Sequence, residues 1–215
     1  MAQPWIMTAS GRAFYPLDPS PDQVHFPDVA HHLAQRNRFT GACREPYNVA
    51  QHSVLASLQA EEDGRILVPN LGDGDQHLLV FALSVLLHDA AEAYGPDIAR
   101  PVKHSGAVVE LLAIEDRIQR AIYQAAGLPP EEGPTVHRAR KEIDRRLLRT
   151  EQRDLMPPPA TAHGEDRTDV APYPWPILPW RWDVARDLFL DRFLTLRRRL
   201  EDIDRGRTAF RVVAE

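Results

Sequence analysis

Two histidines and two aspartates carry side-chain types that bind divalent transition metals. His88 and Asp89 are adjacent and end the apolar run LSVLL, whereas His52 shares a predicted helix face with leucine and alanine. Asp144 lies at the edge of another apolar stripe. A carboxylate in such surroundings needs a partner, because burying a lone charge is costly. Two imidazoles and two carboxylates would hold one divalent ion and leave positions for water or phosphate.

Each of these residues also has an ordinary structural interpretation. A single core histidine such as His52 is more often satisfied by hydrogen bonds than by a metal, and Asp144 has arginine neighbours with which it could pair. A His-Asp pair alone is common by chance. The prediction of a metal site therefore depends on three helices that each point a ligand type inward.

Acidic and basic side chains near these ligands have the chemistry of phosphate hydrolysis. Glu92 follows His88 by four residues, which places both on one face of a helix. A carboxylate there can take a proton from a water molecule that the metal activates. Asp97, after a Gly-Pro break, can reach back over the same site. Arg38 offers a guanidinium fork for phosphate and Lys103 a point charge.

The spacing of apolar side chains and the cap signals predict an all-α fold that positions these residues. Five or six helices are expected, over about 28–36, 48–60, 76–93, 107–126, 135–155 and 183–203. Asn48 is the predicted N-cap of the second helix, and the polar segment 61–75 is predicted to be a connection. A short hairpin is predicted around the Ala-Ser-Gly turn at 9–11, and no other segment alternates like a strand.

The composition is typical of a soluble globular chain and excludes several classes of protein. The 215 residues carry a formal charge of −5, which argues against a broad nucleic-acid-binding face. The single cysteine excludes an internal disulfide. No apolar run reaches the length of a membrane span, and the first residues lack the pattern of a secretory signal. We therefore expect a cytoplasmic protein that binds no membrane.

Clusters of proline divide the chain into three predicted parts. These are an N-terminal hairpin extension at 1–26, a metal-binding helical core at 27–156, and a Pro-rich loop and C-terminal helix at 157–215 that pack on the core.

The order of the candidate ligands resembles that of the HD-domain metal-dependent phosphohydrolases, in which His, His-Asp and Asp side chains hold one divalent metal. The segment HDAAEAYGPDIARPVK resembles the pattern HDxxE(x)4DxxxPxK of the 5′-deoxynucleotidase branch. Arg38 and Phe39 resemble the arginine and the bulky aromatic that precede the first metal histidine in that branch, where the aromatic is commonly tryptophan. The similarity covers roughly 28–155.

The resemblance implies an HD-domain helical bundle that holds one divalent ion, namely Mn, Co, Fe, Ni, Zn or Mg. The metal ligands carried over by position are His52, His88, Asp89 and Asp144. The expected catalytic residues are Glu92 and Asp97, and the expected substrate-binding residues are Arg38, Phe39, Tyr94 and Lys103. Tyr94 is included with Phe39 as a base or sugar contact because both are near the site in sequence.

The expected function is hydrolysis of a deoxynucleoside 5′-monophosphate to nucleoside and phosphate. Two alternatives stay open: a triphosphohydrolase that releases triphosphate from a dNTP, and a metal-stabilised binding module without turnover. The expected partner is a small nucleotide and not a nucleic acid polymer. Relatives often form dimers, so a homodimer is compatible with the resemblance.

Overall fold

The computed structural model describes residues 3–68, 74–96, 98–103, 105–158 and 170–213. The helices in these ranges are α1 (Phe26–Gln35), α2 (Val49–Leu67), α3 (Asp75–Leu86), α4 (Arg100–Lys103), α5 (Val109–Ala125), α6 (Pro134–Leu155) and α7 (Trp182–Val213). One antiparallel pair of strands, β1 (Ile6–Met7) and β2 (Ala13–Phe14), precedes them. The predicted all-α class is confirmed. None of the described helices combines the length and apolarity needed to cross a bilayer.

The core lies between α2 and α3, which pack along each other, and α7, which packs against α1, α2 and α3. Gly64 marks the close approach of α2 to α3, because a Cβ at this position would lie 2.7 Å from Leu78 Cδ1. Fully buried Phe81 and Phe189 fill the space where α3 meets α7. This packing holds α2 in place, and α2 carries one of the candidate ligands.

The start of α2 matches the prediction, but its end does not. The Asn48 side chain accepts a hydrogen bond from the Gln51 N–H at 2.9 Å, as expected of an N-cap. The helix then continues to Leu67, whereas 61–75 was predicted to be a connection. Glu61 explains the extension, because it pairs with Arg192 of α7 at 2.7 Å. The polar residues after 60 therefore belong to a helix that pairs with its neighbours: Glu61 with α7, and Asp63 with Arg146 of α6.

The predicted N-terminal hairpin is confirmed, and a buried aspartate fixes its turn to α1. Asp28 is 2% exposed. It accepts hydrogen bonds from the Thr8 hydroxyl at 2.8 Å and from the Ser10 N–H and hydroxyl at 2.8 and 2.6 Å. His25 Nδ1 lies 3.1 Å from the same carboxylate. The hairpin is therefore an ordered part of the fold.

Two further contacts join the hairpin to the segment that follows α3. His32 Nδ1 lies 2.8 Å from the Ala93 carbonyl, and His32 Nε2 accepts a hydrogen bond from the Ala9 N–H at 3.1 Å. Phe14 stacks on Tyr94, with ring centroids 3.7 Å apart and planes 6° from parallel. The hairpin, together with His32 of α1, thus holds residues 93 and 94 in place.

Asp28→Ala should lower the free energy of unfolding by about 1.5–3 kcal/mol, the range for hydrogen bonds to a charged group. Burial acts to raise the pKa of Asp28, but hydrogen bonds from Ser10, Thr8 and His25 outweigh it and the pKa is lowered. The contribution of the carboxylate is therefore present above its unfolded-state pKa of about 3.9 and is lost as the pH falls through its folded-state value. Urea unfolding at neutral and acidic pH measures both effects.

Asp22→Ala is the control for this variant, because Asp22 is exposed and close to Asp28 in sequence. The role given to Asp28 would be wrong if the two variants lost equal stability at neutral pH.

Candidate metal centre

Three elements bring the predicted ligands together: α2, α6 and the turn after α3. His52 Nε2 lies 3.4 Å from His88 Nε2 and 3.5 Å from Asp144 Oδ1. The potential ligand atoms of these three residues all lie within 4.8 Å of one another, and the group could hold a metal ion. The His52 side chain is completely buried, and those of His88 and Asp144 are 3% and 10% exposed.

The hydrogen bonds of the two histidines direct their Nε2 atoms toward each other. His88 Nδ1 lies 2.7 Å from the Val85 carbonyl, which can only accept, so Nδ1 is assigned the hydrogen. His52 Nδ1 lies 2.6 Å from the Glu151 carboxylate and is assigned its hydrogen for the same reason. In the neutral rings, both Nε2 lone pairs then face one another. Either a proton on one Nε2 or a metal ion between the two would remove this repulsion.

Asp89 lies at the open side of this group. Its Oδ2 is 3.3 Å from His88 Nε2 and 3.8 Å from His52 Nε2, and its side chain is 26% exposed. Burial acts to raise the pKa of Asp89, but His88, His52 and Arg38 outweigh it and hold the pKa well below its usual value. An ionised carboxylate therefore lies beside both imidazoles, on the solvent-exposed side of the His52, His88 and Asp144 group.

The four predicted ligands, His52, His88, Asp89 and Asp144, are called the cluster below. The charges in and around the cluster favour a divalent cation. Three carboxylates, those of Asp89, Asp144 and Glu151, surround one guanidinium, that of Arg38. Burial acts to raise the pKa of Glu151, but Arg38 and His52 outweigh this effect, and the pKa is lowered. With neutral histidines, these described residues carry two negative charges in excess, which is the charge a divalent ion neutralises.

Glu151 was missed by the sequence analysis, although it positions two of the predicted residues. It is fully buried on α6, where it lies 2.6 Å from His52 Nδ1 and 3.3 Å from Arg38 Nη2. The Tyr47 hydroxyl donates to it at 2.9 Å. A carboxylate on the far nitrogen of a ligating histidine fixes the ring and makes it a better ligand. Its position two helical turns after Asp144 on α6 was the available sequence signal.

Glu151→Gln should weaken metal binding by about 10–100-fold, the usual effect of removing such an outer partner. The amide keeps the size of the side chain but not its negative charge, so His52 is less well oriented. Competition with a chelating dye measures the affinity. Tyr47→Phe removes only one hydrogen bond to Glu151 and should have a smaller effect; equal effects would contradict the role of the charge.

The turn that carries His88 and Asp89 differs from the prediction. A single helix was expected over 76–93, but α3 ends at Leu86, residues 87–89 form a turn, and Ala90–Ala93 is a 3₁₀ helix. Glu92 and His88 therefore do not share the face of one α-helix.

Gln119 of α5 gives the physical reason for this break. Its Nε2 donates to the Leu87 carbonyl at 2.6 Å, and its Oε1 accepts from the Ala91 N–H at 3.0 Å. Those two backbone groups would bond to each other in a continuous α-helix. A side-chain amide inserted between them interrupts the helix. It also fixes the backbone on both sides of His88 and Asp89.

Gln119→Leu should weaken metal binding by about 10–100-fold, because Gln119 acts on the ligands from outside, as Glu151 does. Leucine has a similar size but cannot bond to either backbone group. The measurement is metal affinity by calorimetry, with circular dichroism as a check on the fold. Gln124→Leu, at an exposed position of the same helix, is the control and should bind metal like the wild type.

The candidate base, Glu92, and the candidate phosphate contact, Lys103, lie beside each other. Glu92 is 6% exposed in the 3₁₀ helix. Lys103 Nζ lies 3.9 Å from Glu92 Oε1 and 2.9 Å from Glu115 Oε1 of α5. Burial acts to lower the pKa of Lys103, but Glu115 and Glu92 outweigh it and the pKa is raised. Lys103 therefore stays cationic at neutral pH.

Arg38 contacts carboxylates in this structure. Nη1 lies 3.4 Å from Asp89 and Nη2 3.3 Å from Glu151, while the buried Nε has no hydrogen-bond partner among the described residues. Phe39, directly after it, has a φ of 55°, and Thr40 has a φ of 50°. Two consecutive non-glycine residues in the left-handed region store strain, as is common next to functional sites.

Of the remaining predicted site residues, the structure describes Phe39 and Tyr94. Phe39 is half-buried, with its ring 5.7 Å from the Arg38 guanidinium carbon. Tyr94 is buried, and Phe14 covers one face of its ring. Asp97 lies outside the described residues.

The fold and the cluster define an all-α protein with a buried His-His-Asp group able to bind a metal ion. No protein-family model matches the chain. It is 35% identical over 151 residues to the uncharacterized protein YfdR of Escherichia coli. The matched region covers 70% of this chain and 72% of YfdR. It is 33% identical over 159 residues to the uncharacterized protein RCAP_rcc00048 of Rhodobacter capsulatus, which covers 72% of this chain and 74% of that protein. The chain belongs to the family that includes YfdR.

Proposed function

We propose that this protein is an HD-type, metal-dependent phosphohydrolase whose substrate is a deoxynucleoside 5′-monophosphate. The observation that carries the proposal is the meeting of His52 and His88 through their Nε2 atoms, 3.4 Å apart, with Asp144 and Asp89 beside them. Both Nδ1 atoms are already engaged, so the geometry suits a metal ion better than a hydrogen-bonded core.

The surroundings of the cluster support hydrolysis in preference to a purely structural metal site. A structural site has its ligands closed off, whereas Asp89 is 26% exposed. Glu92 and Lys103 are outside the His52, His88 and Asp144 group, yet they lie together, and Glu92 follows Asp89 by three residues. The resemblance of the segment from His88 to Lys103 to the 5′-deoxynucleotidase pattern points to the same chemistry.

Each side chain has one role in the proposed reaction. A bound divalent ion would make water more acidic and polarise the phosphoryl group. Glu92 takes a proton from the attacking water, whose oxygen forms the new bond to phosphorus. Lys103 neutralises charge that develops on the phosphoryl oxygens, and Arg38 keeps Asp89 oriented. The bond between phosphorus and the 5′ oxygen breaks, and that oxygen leaves with a proton from solvent as part of the nucleoside.

The test is a substrate panel with the full-length protein, freed of metal by a chelator and then loaded with Mn, Co, Fe, Ni, Zn or Mg. We expect metal-dependent release of inorganic phosphate and nucleoside from deoxynucleoside monophosphates, separated by chromatography. Release of triphosphate from a dNTP would identify the triphosphohydrolase instead. Metal binding that raises the melting temperature without turnover of any phosphate ester would identify a binding module.

A further inference from the structure

A cavity of about 250 Å³ lies on the side of Glu92 that faces α5. Its walls are mostly apolar, with carboxylates at Glu92 and Glu115. The principal apolar side chains are those of Leu17, Leu111, Ile114 and Ile118. Pockets that bury a drug-sized ligand measure about 300–1,000 Å³, so this one has room for a fragment such as one ring system.

The N-terminal extension builds one wall of the cavity. Pro16 and Leu17 follow β2 and face the α5 side chains across the opening. Their position is fixed by the hairpin, which Asp28 and His32 attach to α1, and by the stack of Phe14 on Tyr94. The wall is therefore already formed in the structure, and it depends on residues outside the segment that resembles the HD domains.

The cavity and the candidate reaction centre share Glu92. The 3₁₀ helix Ala90–Ala93 begins directly after Asp89, and two of its residues, Ala91 and Glu92, line the cavity. Lys103 pairs with both Glu92 and Glu115, so it places a positive charge beside the two carboxylates that line the cavity. A molecule with its phosphate at Lys103 and the metal cluster would extend its other end toward Leu111 and Ile114.

We propose that this cavity binds the nucleobase of the substrate, an inference that rests on the proposed function. A planar heteroaromatic ring matches its size and its apolar walls. The phosphate of a nucleotide stays in the charged region, and the base is removed from water between the N-terminal extension and α5. The N-terminal extension therefore determines which leaving groups the enzyme accepts.

Ile114→Trp tests the proposal by filling the cavity from α5. The control is Ala113→Trp, which adds the same side chain at a neighbouring exposed position. Both variants are assayed with a deoxynucleoside monophosphate and with ribose 5-phosphate, which has no base. Ile114→Trp should raise KM for the nucleotide at least about 10-fold, because an obstructed apolar pocket discriminates by about 10–200-fold. The kcat/KM for ribose 5-phosphate should stay unchanged, and Ala113→Trp should match the wild type.

Equal losses on both substrates in Ile114→Trp, or no loss on either, would overturn the inference and leave the proposed function intact. If the wild type hydrolyses no phosphate ester, the proposed function fails, and equilibrium dialysis with free deoxynucleosides then decides about the cavity. Binding that Ile114→Trp abolishes and Ala113→Trp retains would support a base site. Absence of binding in the wild type would reject it.

Discussion

Asp144→Asn should leave the purified protein with less than about a tenth of the wild-type metal content and no measurable turnover. Removing even an outer partner of a ligand costs about 10–100-fold in affinity, and Asp144 is placed to bind the ion directly. The amide keeps the shape of the side chain, but one of the two excess negative charges of the cluster disappears. Elemental analysis and a substrate assay, both after dialysis against the same metal, give the two readings.

Glu142→Gln is the charge-matched control for this variant. Glu142 lies one half-turn before Asp144 on α6, outside the cluster, so its loss changes the net charge of the protein but not the ligands. Full metal content in Asp144→Asn, with normal content in the control, would show that Asp144 is a structural carboxylate and that the ion binds elsewhere.

The candidate ligands were predictable because they follow simple rules of burial. His52 shares a helix face with apolar side chains, and Asp144 lies at the edge of the apolar stripe of α6, so both were expected to point inward. The N-cap of α2 was also predictable, because Asn48 bonds to a backbone group only three residues away. Residue types and helical periodicity were sufficient for these features.

The exact placement of His88 and Asp89 was not predictable, because a distant residue determines it. Nothing within LSVLLHDAAEAYG stops a helix before its Gly-Pro, and the prediction of one helix to Ala93 followed from that. Gln119 lies 32 residues from Leu87 and replaces a single helical hydrogen bond. Only the packing of α5 against the turn reveals this contact.

The function of Glu151 was hidden for a related reason. On α6 it lies in the sequence RRLLRTEQRDL. An acidic residue among arginines is typical of a solvent-exposed helix face, where it pairs with one of them. Its complete burial depends on α6 packing against α2, which brings His52 within 2.6 Å. The spacing of two helical turns from Asp144 indicated the face of α6 on which Glu151 lies, but the contact with His52 leaves no signal in the sequence.

Glu92→Gln should lower turnover by about two to four orders of magnitude, which is the usual contribution of general acid–base catalysis. The metal content should stay near that of the wild type. Glu92 lies three residues beyond Asp89, is 6% exposed and pairs loosely with Lys103 at 3.9 Å. It follows two of the predicted ligands closely in sequence but is outside the His52, His88 and Asp144 group. Glutamine keeps the shape and hydrogen-bonding capacity of the side chain, but it cannot accept the proton of the attacking water.

The comparison of kcat with KM separates this role from a structural one. Substrate binding depends on the cluster and on Lys103, which keeps its closer pair with Glu115 at 2.9 Å in Glu92→Gln, so KM should move much less than kcat. Glu110→Gln, at an exposed position in the first turn of α5, is the charge-matched control and should keep the wild-type kcat. Normal kcat in Glu92→Gln would remove Glu92 from the reaction and leave Asp97 as the candidate base. Loss of the metal in this variant would instead make Glu92 a ligand, and proton transfer would then need another side chain.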